Sequence, residues 1–188
     1  MFYGQNCSGR LGEKKAVISV VGSKVDFNFT KLISDLNLKN IKKELNEKHF
    51  KRALELVKKY EIKASLVIIS TSQFGDMKED YQNQLNWFAK IYGIICYNAL
   101  KPILQEGYLQ MDREYDERTM NISAGVIKKL TNNDVEVYIR EEREYPTNRI
   151  IVADLLARGY FRGFNCISLI INKNLDLKNE IKKIFNRV

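Results

Sequence analysis

The amino-acid sequence predicts an α/β fold whose sheet is mixed, antiparallel at its start and parallel further on. The chain opens with β-rich segments separated by tight turns, which suits a three-stranded meander. Helical and strand-like segments then alternate to the end of the chain, which calls for parallel strands joined by crossovers. Between the two patterns lies Ala-Ser-Leu-Val-Ile-Ile-Ser at 64–70, an unbroken apolar run of the kind a strand covered on both faces carries.

Residues 1–7 read as the first strand, closed by a turn at Ser8-Gly9-Arg10 and Gly12. Residues 16–21 are β-branched and strand-like, and Gly22-Ser23 turns the chain toward Val25, Phe27 and Phe29, which alternate with polar residues as a third strand. Thr30 caps a short helix through Leu36, and Asn40 a longer one through Tyr60, whose apolar stripe is Leu45, Phe50, Ala53, Leu54 and Val57. The longest helix is expected over 80–104, with Leu85, Phe88, Tyr92, Ile95 and Ala99 in register and Pro102 bending or ending it. Strands at 108–112, 135–139 and 166–171 alternate with helices at 118–130 and 148–161, and a basic helix ends the chain. No repeat, low-complexity tract or linker divides residues 1–188, so one domain is expected.

A ribonuclease H-like core is the commonest fold with that order. A flavodoxin-like or other doubly wound sheet competes, but would not begin with consecutive hairpins.

Apolar residues make up 45% of the chain and charged residues 29%, a globular composition. Cys7, Cys96 and Cys166 are scattered and match no metal-ligand spacing, which fits reduced thiols in a cytoplasmic setting. The opening MFYGQNCSGR has no apolar core of a secretory signal, and the most hydrophobic stretch, 87–104, is broken by Lys90, Asn98, Lys101 and Pro102, so no membrane partner is expected. The net charge of +8 favours a polyanionic partner, RNA or DNA. Between Lys39 and Lys63 nine Lys/Arg face four Glu, either a surface for a phosphate backbone or a solvated helix face.

Acidic residues in apolar surroundings are the candidates for chemistry. Asp154 sits inside Ile150-Ile151-Val152-Ala153-Asp154-Leu155-Leu156-Ala157, where a carboxylate is costly unless paired, hydrogen-bonded or metal-bound. A plain pair with Arg158 one turn later is the bland account. Asp112 ends a strand, where functional groups of parallel sheets collect, whereas Asp116 suits the N-cap of the next helix. Two-metal nucleases require several carboxylates converging on Mg²⁺ or Mn²⁺, and two acidic residues are half of such a set.

Nearly end to end, the chain resembles a family of ribonuclease H-like domains of archaea and bacteria. These open with a strand bearing Asp-x-Ser-Gly, carry a strand-end Asp, and have a late Ala-Asp-Leu-hydrophobic-Ala helix segment. Asn6-Cys7-Ser8-Gly9-Arg10, Asp112 and Ala153-Asp154-Leu155-Leu156-Ala157 occupy those places. The resemblance implies a metal-dependent nuclease with Asn6, Asp112 and Asp154 as catalytic metal ligands for Mg²⁺ or Mn²⁺, hydrolysing nucleic-acid phosphodiesters. Its departure is Asn6, where the family has Asp: a carboxamide brings no charge, so cation affinity and nucleophile activation should fall.

Three accounts of Asn6 stay open: an Asp→Asn change made to inactivate an enzyme, a natural loss of the site, or a turn residue outside the motif. The alternative function is a non-catalytic nucleic-acid-binding or assembly protein on the same fold. A fourth ligand would come from Glu44 or Glu47, both equally readable as surface charges, or from the loop of Glu141, Glu142 and Glu144 beside Arg140 and Arg143, which reads as a solvated charged loop. His49 is the only histidine and has no flanking nucleophile, and no Walker or GxGxxG loop occurs. Tyr92 and Trp87 read as core, and Tyr145, Tyr160 and Phe161 either as core or as rings that stack on bases.

Overall fold

The computed structural model describes residues 1–24, 45–140, 148–164, 170–172 and 176–188. The strands are β1 (Phe2–Ser8), β2 (Lys15–Ser23), β3 (Lys63–Ser70), β4 (Gly107–Met111), β5 (Val135–Ile139) and β6 (Ile170–Asn172). The helices are α1 (Glu47–Lys59), α2 (Thr71–Tyr81), α3 (Trp87–Leu100), α4 (Glu117–Leu130), α5 (Asn148–Phe161) and α6 (Leu177–Ile184). They form an α/β architecture around one mixed sheet in the order β5-β4-β1-β2-β3-β6. The pairs β1–β2 and β2–β3 are antiparallel, while β4 on β1, β5 on β4 and β6 on β3 are parallel. Among the described residues no helix is long and apolar enough to cross a membrane.

Two expectations about the elements are corrected. The third strand of the antiparallel unit is β3, because β2 is already bonded on both sides along nearly its whole length. The strand expected at 25–29, the helix at 30–36 and the start of the helix at Asn40 lie outside the described residues, as does most of the strand expected at 166–171. Of the long helix expected over 80–104, residues 87–100 form α3, followed by a 3-10 turn at Lys101–Ile103, and only Asp80 and Tyr81 before it are helical, as the end of α2, which begins at Thr71. The break falls where Asn86 takes the left-handed conformation at φ 57° before Trp87, and Leu85, expected in the core, is 78% exposed there. The apolar periodicity of 80–104 runs across this break, which is why it reads as one helix.

The sheet divides the core in two. One face packs Tyr3, Ile18, Val20, Val67, Leu109 and Met111 against α3, α4 and α6. Helix α3 is buried nearly all round, and Gly93 lets α4 cross it closely, since a Cβ there would stand 2.8 Å from the Ser123 carbonyl. On the other face Val17, Val21, Ala64 and Leu66 pack against Phe50, Leu54 and Val57 of α1 and against Val152, Ala153, Leu155 and Leu156 of α5.

This second face changes character across β1. Alternation places Phe2, Gly4 and Asn6 of β1 on it, in register with Tyr108 and Gln110 of β4, and with Glu136 and Tyr138 of β5 beyond. An apolar half under α1 and α5 therefore meets a polar and aromatic half at β4 and β5.

Candidate functional site

β1, β4 and β5 run parallel, so their carboxyl ends lie side by side. The register continues past the last strand residues: the Asp112 amide donates to the Gln5 carbonyl at 3.1 Å, and the Arg140 amide to the Met111 carbonyl at 2.9 Å. Asn6, Asp112 and Arg140 thus form a row across three strand ends, the position where ligands of open α/β sheets collect.

Helix α5 closes the row from above. It can approach because β1 has glycine at position 4, where a Cβ would lie 2.5 Å from the backbone of Arg149 and Ile150. That contact seats the first turns of α5 on β1 and brings Ile150, Ile151, Asp154 and Arg158 over the strand ends. A second glycine, Gly9 at φ 76°, turns the chain out of β1, where a Cβ would stand 2.6 Å from the Phe161 ring.

The result is an open cleft of about 540 Å³ that gathers Asn6, Asp112 and Asp154 from three separate stretches of the chain. It also contains residues that composition and spacing did not single out: Arg10, Glu13, Arg113, Glu114, and Arg140, expected in a solvated loop. The signal in the sequence was the polar alternation Gln110, Asp112 on one strand and Tyr138, Arg140 on the next, which follows a period of two to the strand ends.

The carboxylates are engaged by cations and amides. Arg140 donates from Nε to Asp112 Oδ1 at 2.7 Å and places Nη2 2.6 Å from the same oxygen. Asn6 donates from Nδ2 to Asp112 Oδ2 at 2.9 Å. The carboxylate fixes the sense of that amide, since the reversed side chain would set oxygen against oxygen, and Asn6 Oδ1 is then buried with no hydrogen-bond partner. Arg158 Nε lies 2.7 Å from Asp154 Oδ1 and 2.9 Å from Oδ2, the helical pair foreseen from spacing. Burial is the main cause that pushes Glu114 up to about 7, and the Asp112 charge adds to it.

The remaining candidates stand elsewhere. Asp116 caps α4, accepting from the Thr119 amide at 3.0 Å. Glu47 pairs with Lys51 on the exposed face of α1 at 2.8 Å, the surface role weighed for it. Glu44, residues 141–144 and Tyr145 lie outside the described residues. Tyr92 is buried, Trp87 partly so, Tyr160 is buried, and Phe161 is 39% exposed.

The described donors do not make a divalent-metal centre. No three His, Cys, Asp or Glu side chains among the described residues form a group that could hold a metal ion. Guanidinium groups stand against both Asp112 and Asp154, in the places where Mg²⁺ or Mn²⁺ would need anionic oxygen. Four arginines, Arg10, Arg113, Arg140 and Arg158, face four acidic residues in the cleft, one of them half-titrated near neutrality. Such a surface suits anionic oxygens with fork-shaped donors.

No family model and no curated protein matches the chain. Solved structures do. Over its whole length the chain is similar to ribonuclease HII of Archaeoglobus fulgidus in its complex with PCNA, at 14% identity and a TM-score of 0.57, covering 87% of that chain. It is similar over 99% of its length to ribonuclease H2 of Pyrococcus horikoshii OT3, at 15% identity and a TM-score of 0.57, covering 76% of that chain. Over 86% of its length it is similar to a mutant protein of Bst-RNase HIII, at 16% identity and a TM-score of 0.55, covering 52% of that chain. The fold is ribonuclease H-like.

Proposed function

We propose that this chain binds nucleic acid, RNA or DNA, in the cleft at the ends of β1, β4 and β5, and that with Asn6 in place the cleft grips phosphates rather than cleaving them. The observation that carries this reading is the state of Asp112, held by the Asn6 amide on one oxygen and by Arg140 on the other. A phosphate entering the cleft meets guanidinium donors and competes for them with Asp112 and Asp154. The net charge of +8 favours a polyanion approaching from any direction.

A metal-dependent nuclease is the second reading, and one observation favours it. Asn6 Oδ1 is buried among the cleft residues with no partner, at the place where the resemblance expects a ligating carboxylate. On this reading Asn6, Asp112 and Asp154 are what is left of a ligand set for Mg²⁺ or Mn²⁺, and with an aspartate at position 6 the metal ion would compete with Arg140 for the carboxylates.

Both readings are tested with labelled short RNA, DNA and hybrid oligonucleotides. The chain should bind without divalent ions, and log Kd should change with log salt with a slope of about 2 to 4, one unit or slightly less per phosphate met by the four arginines. Absence of binding at low salt, or metal-dependent cleavage by the Asn6 chain, would overturn the first reading. Calorimetry with Mg²⁺ and Mn²⁺ on Asn6→Asp, together with a cleavage assay, decides the second: neither heat nor product on any substrate would end it.

A further inference from the structure

We propose that the outer edge of β5, together with α4, takes up an extended acidic segment of a partner protein as an added strand. β5 ends the sheet, and among the described residues no strand lies on its far side. The Gly107 amide donates to the Asp134 carbonyl at 3.0 Å, and the Arg140 amide to the Met111 carbonyl at 2.9 Å. Parallel pairing turns alternate residues toward the neighbouring strand, so the amides and carbonyls of Glu136 and Tyr138 point to β4. Those of Val137 and Ile139 point away from it, two donors and two acceptors at the spacing of a strand. Both residues are only half-buried, and β5 holds neither the proline nor the lysine that commonly blunts an edge.

This edge is one wall of a groove of about 400 Å³ whose other wall is α4. Glu117, Asn121, Gly125 and Lys128 follow one another along that wall at three- and four-residue spacing, a single stripe of the helix. Gly125 is the informative member. Glycine weakens the interior of a helix, and packing does not call for it here, since a Cβ at this position would meet nothing within 4 Å. Its effect is to leave room on the helical wall of the groove. An open strand edge beside such a groove is a setting in which extended peptides bind by strand addition.

The occupant is a peptide and not a nucleic acid, because a strand edge offers amides and carbonyls in alternation. Phosphates would meet the carbonyls as well as the amides, whereas another peptide backbone satisfies both. The groove also sets its charge. Arg113 and Lys128 stand there against one acid, Glu117, and neither cation has an acidic partner among the described residues. A second copy of the chain is disfavoured, since each copy would bring the same cations and a net charge of +8 to the contact. Strand addition at this edge does not depend on what the cleft binds.

The test is selection of a phage-displayed library of short random peptides on the full chain. Selected sequences should alternate Asp or Glu with β-branched or aromatic residues, and the synthetic peptides should bind in fluorescence anisotropy. Gly125→Gln, which fills the groove with a good helix former, and Lys128→Glu should each weaken that binding about tenfold or more. Val137→Pro, which removes an outward amide that β4 does not use, should do the same. Thermal melts near the parent's Tm establish that each variant is folded. N-methylation of every second peptide amide should abolish binding in one phase and spare it in the other. Selection of no peptide, selection of basic sequences, or binding unchanged in all three variants would overturn the proposal. Oligonucleotide binding lost in Gly125→Gln with no peptide selected would assign the groove to nucleic acid, and dimers that Val137→Pro dissolves would assign the edge to a second copy. Either result would equally overturn it.

Discussion

Among single residues, Glu114 has the clearest consequence for solution behaviour. Its carboxyl is pushed up to about 7, first by burial and then by the Asp112 charge, while the Cys7 backbone and Arg158 act in the opposite sense. An acid whose folded value lies above its unfolded value holds its proton more tightly when folded. Its contribution is fully present below the unfolded value, about 4.3, and is lost as pH rises through the folded one near 7. Glu114→Gln removes the ionisation. Urea midpoints of the variant should exceed those of the parent above pH 7, and the excess should shrink as pH falls to the acid end of that window. A constant difference across pH would mean that Glu114 does not titrate in the cleft. Asn6 matters in the same way: its amide settles a hydrogen bond that an aspartate beside Asp112 would replace by repulsion, so the chemistry of the cleft turns on one nitrogen atom.

Elements are placed by small residues as much as by large ones. Gly4 is the seat of α5, and an alanine there would meet the Arg149 backbone at 2.5 Å, which no rotamer change relieves. Gly4→Ala should therefore cost about 1–3 kcal/mol in urea unfolding with an unchanged m-value, and should weaken nucleic-acid binding by lifting Asp154 and Arg158 away from the strand ends. Full stability in that variant would show that α5 is not seated through this contact. The break before α3 in the expected 80–104 helix belongs here too. Leu85 and Phe88 keep helical spacing across it, so periodicity cannot see a break that depends on the left-handed Asn86.

Across the whole molecule the sheet separates two cores, and two buried thiols report on the integrity of one of them. Cys7 and Cys96 are both buried and free, and burial pushes both thiols upward, which withholds the reactive thiolate. Peptide mapping after pulsed alkylation should find both unmodified in the native chain, with labelling that rises only through the urea transition. Labelling of Cys7 ahead of Cys96 would show that the β1 turn opens by itself. The same two-faced sheet explains why the cleft lies where it does. Apolar side chains of β2 and β3 are covered by α1 and α5, while β4 and β5 present polar and aromatic residues on their half of that face.

Element types and the mixed sheet are legible in the order of amino acids alone, because strand alternation, the 64–70 run and helical periodicity are local properties. Asp112 and Asp154 are legible there too, since a polar group at a strand end or in an apolar helix stands out without coordinates, whereas Asn6 stands out only through the resemblance to ribonuclease H-like domains. The folded chain was needed to learn that these three line one cleft, that β3 completes the antiparallel unit, and that Arg140 holds Asp112. The difference is one of range: the partners of Asp112 lie 106 and 28 residues away along the chain, and only the shared register of three parallel strands brings them within hydrogen-bonding distance.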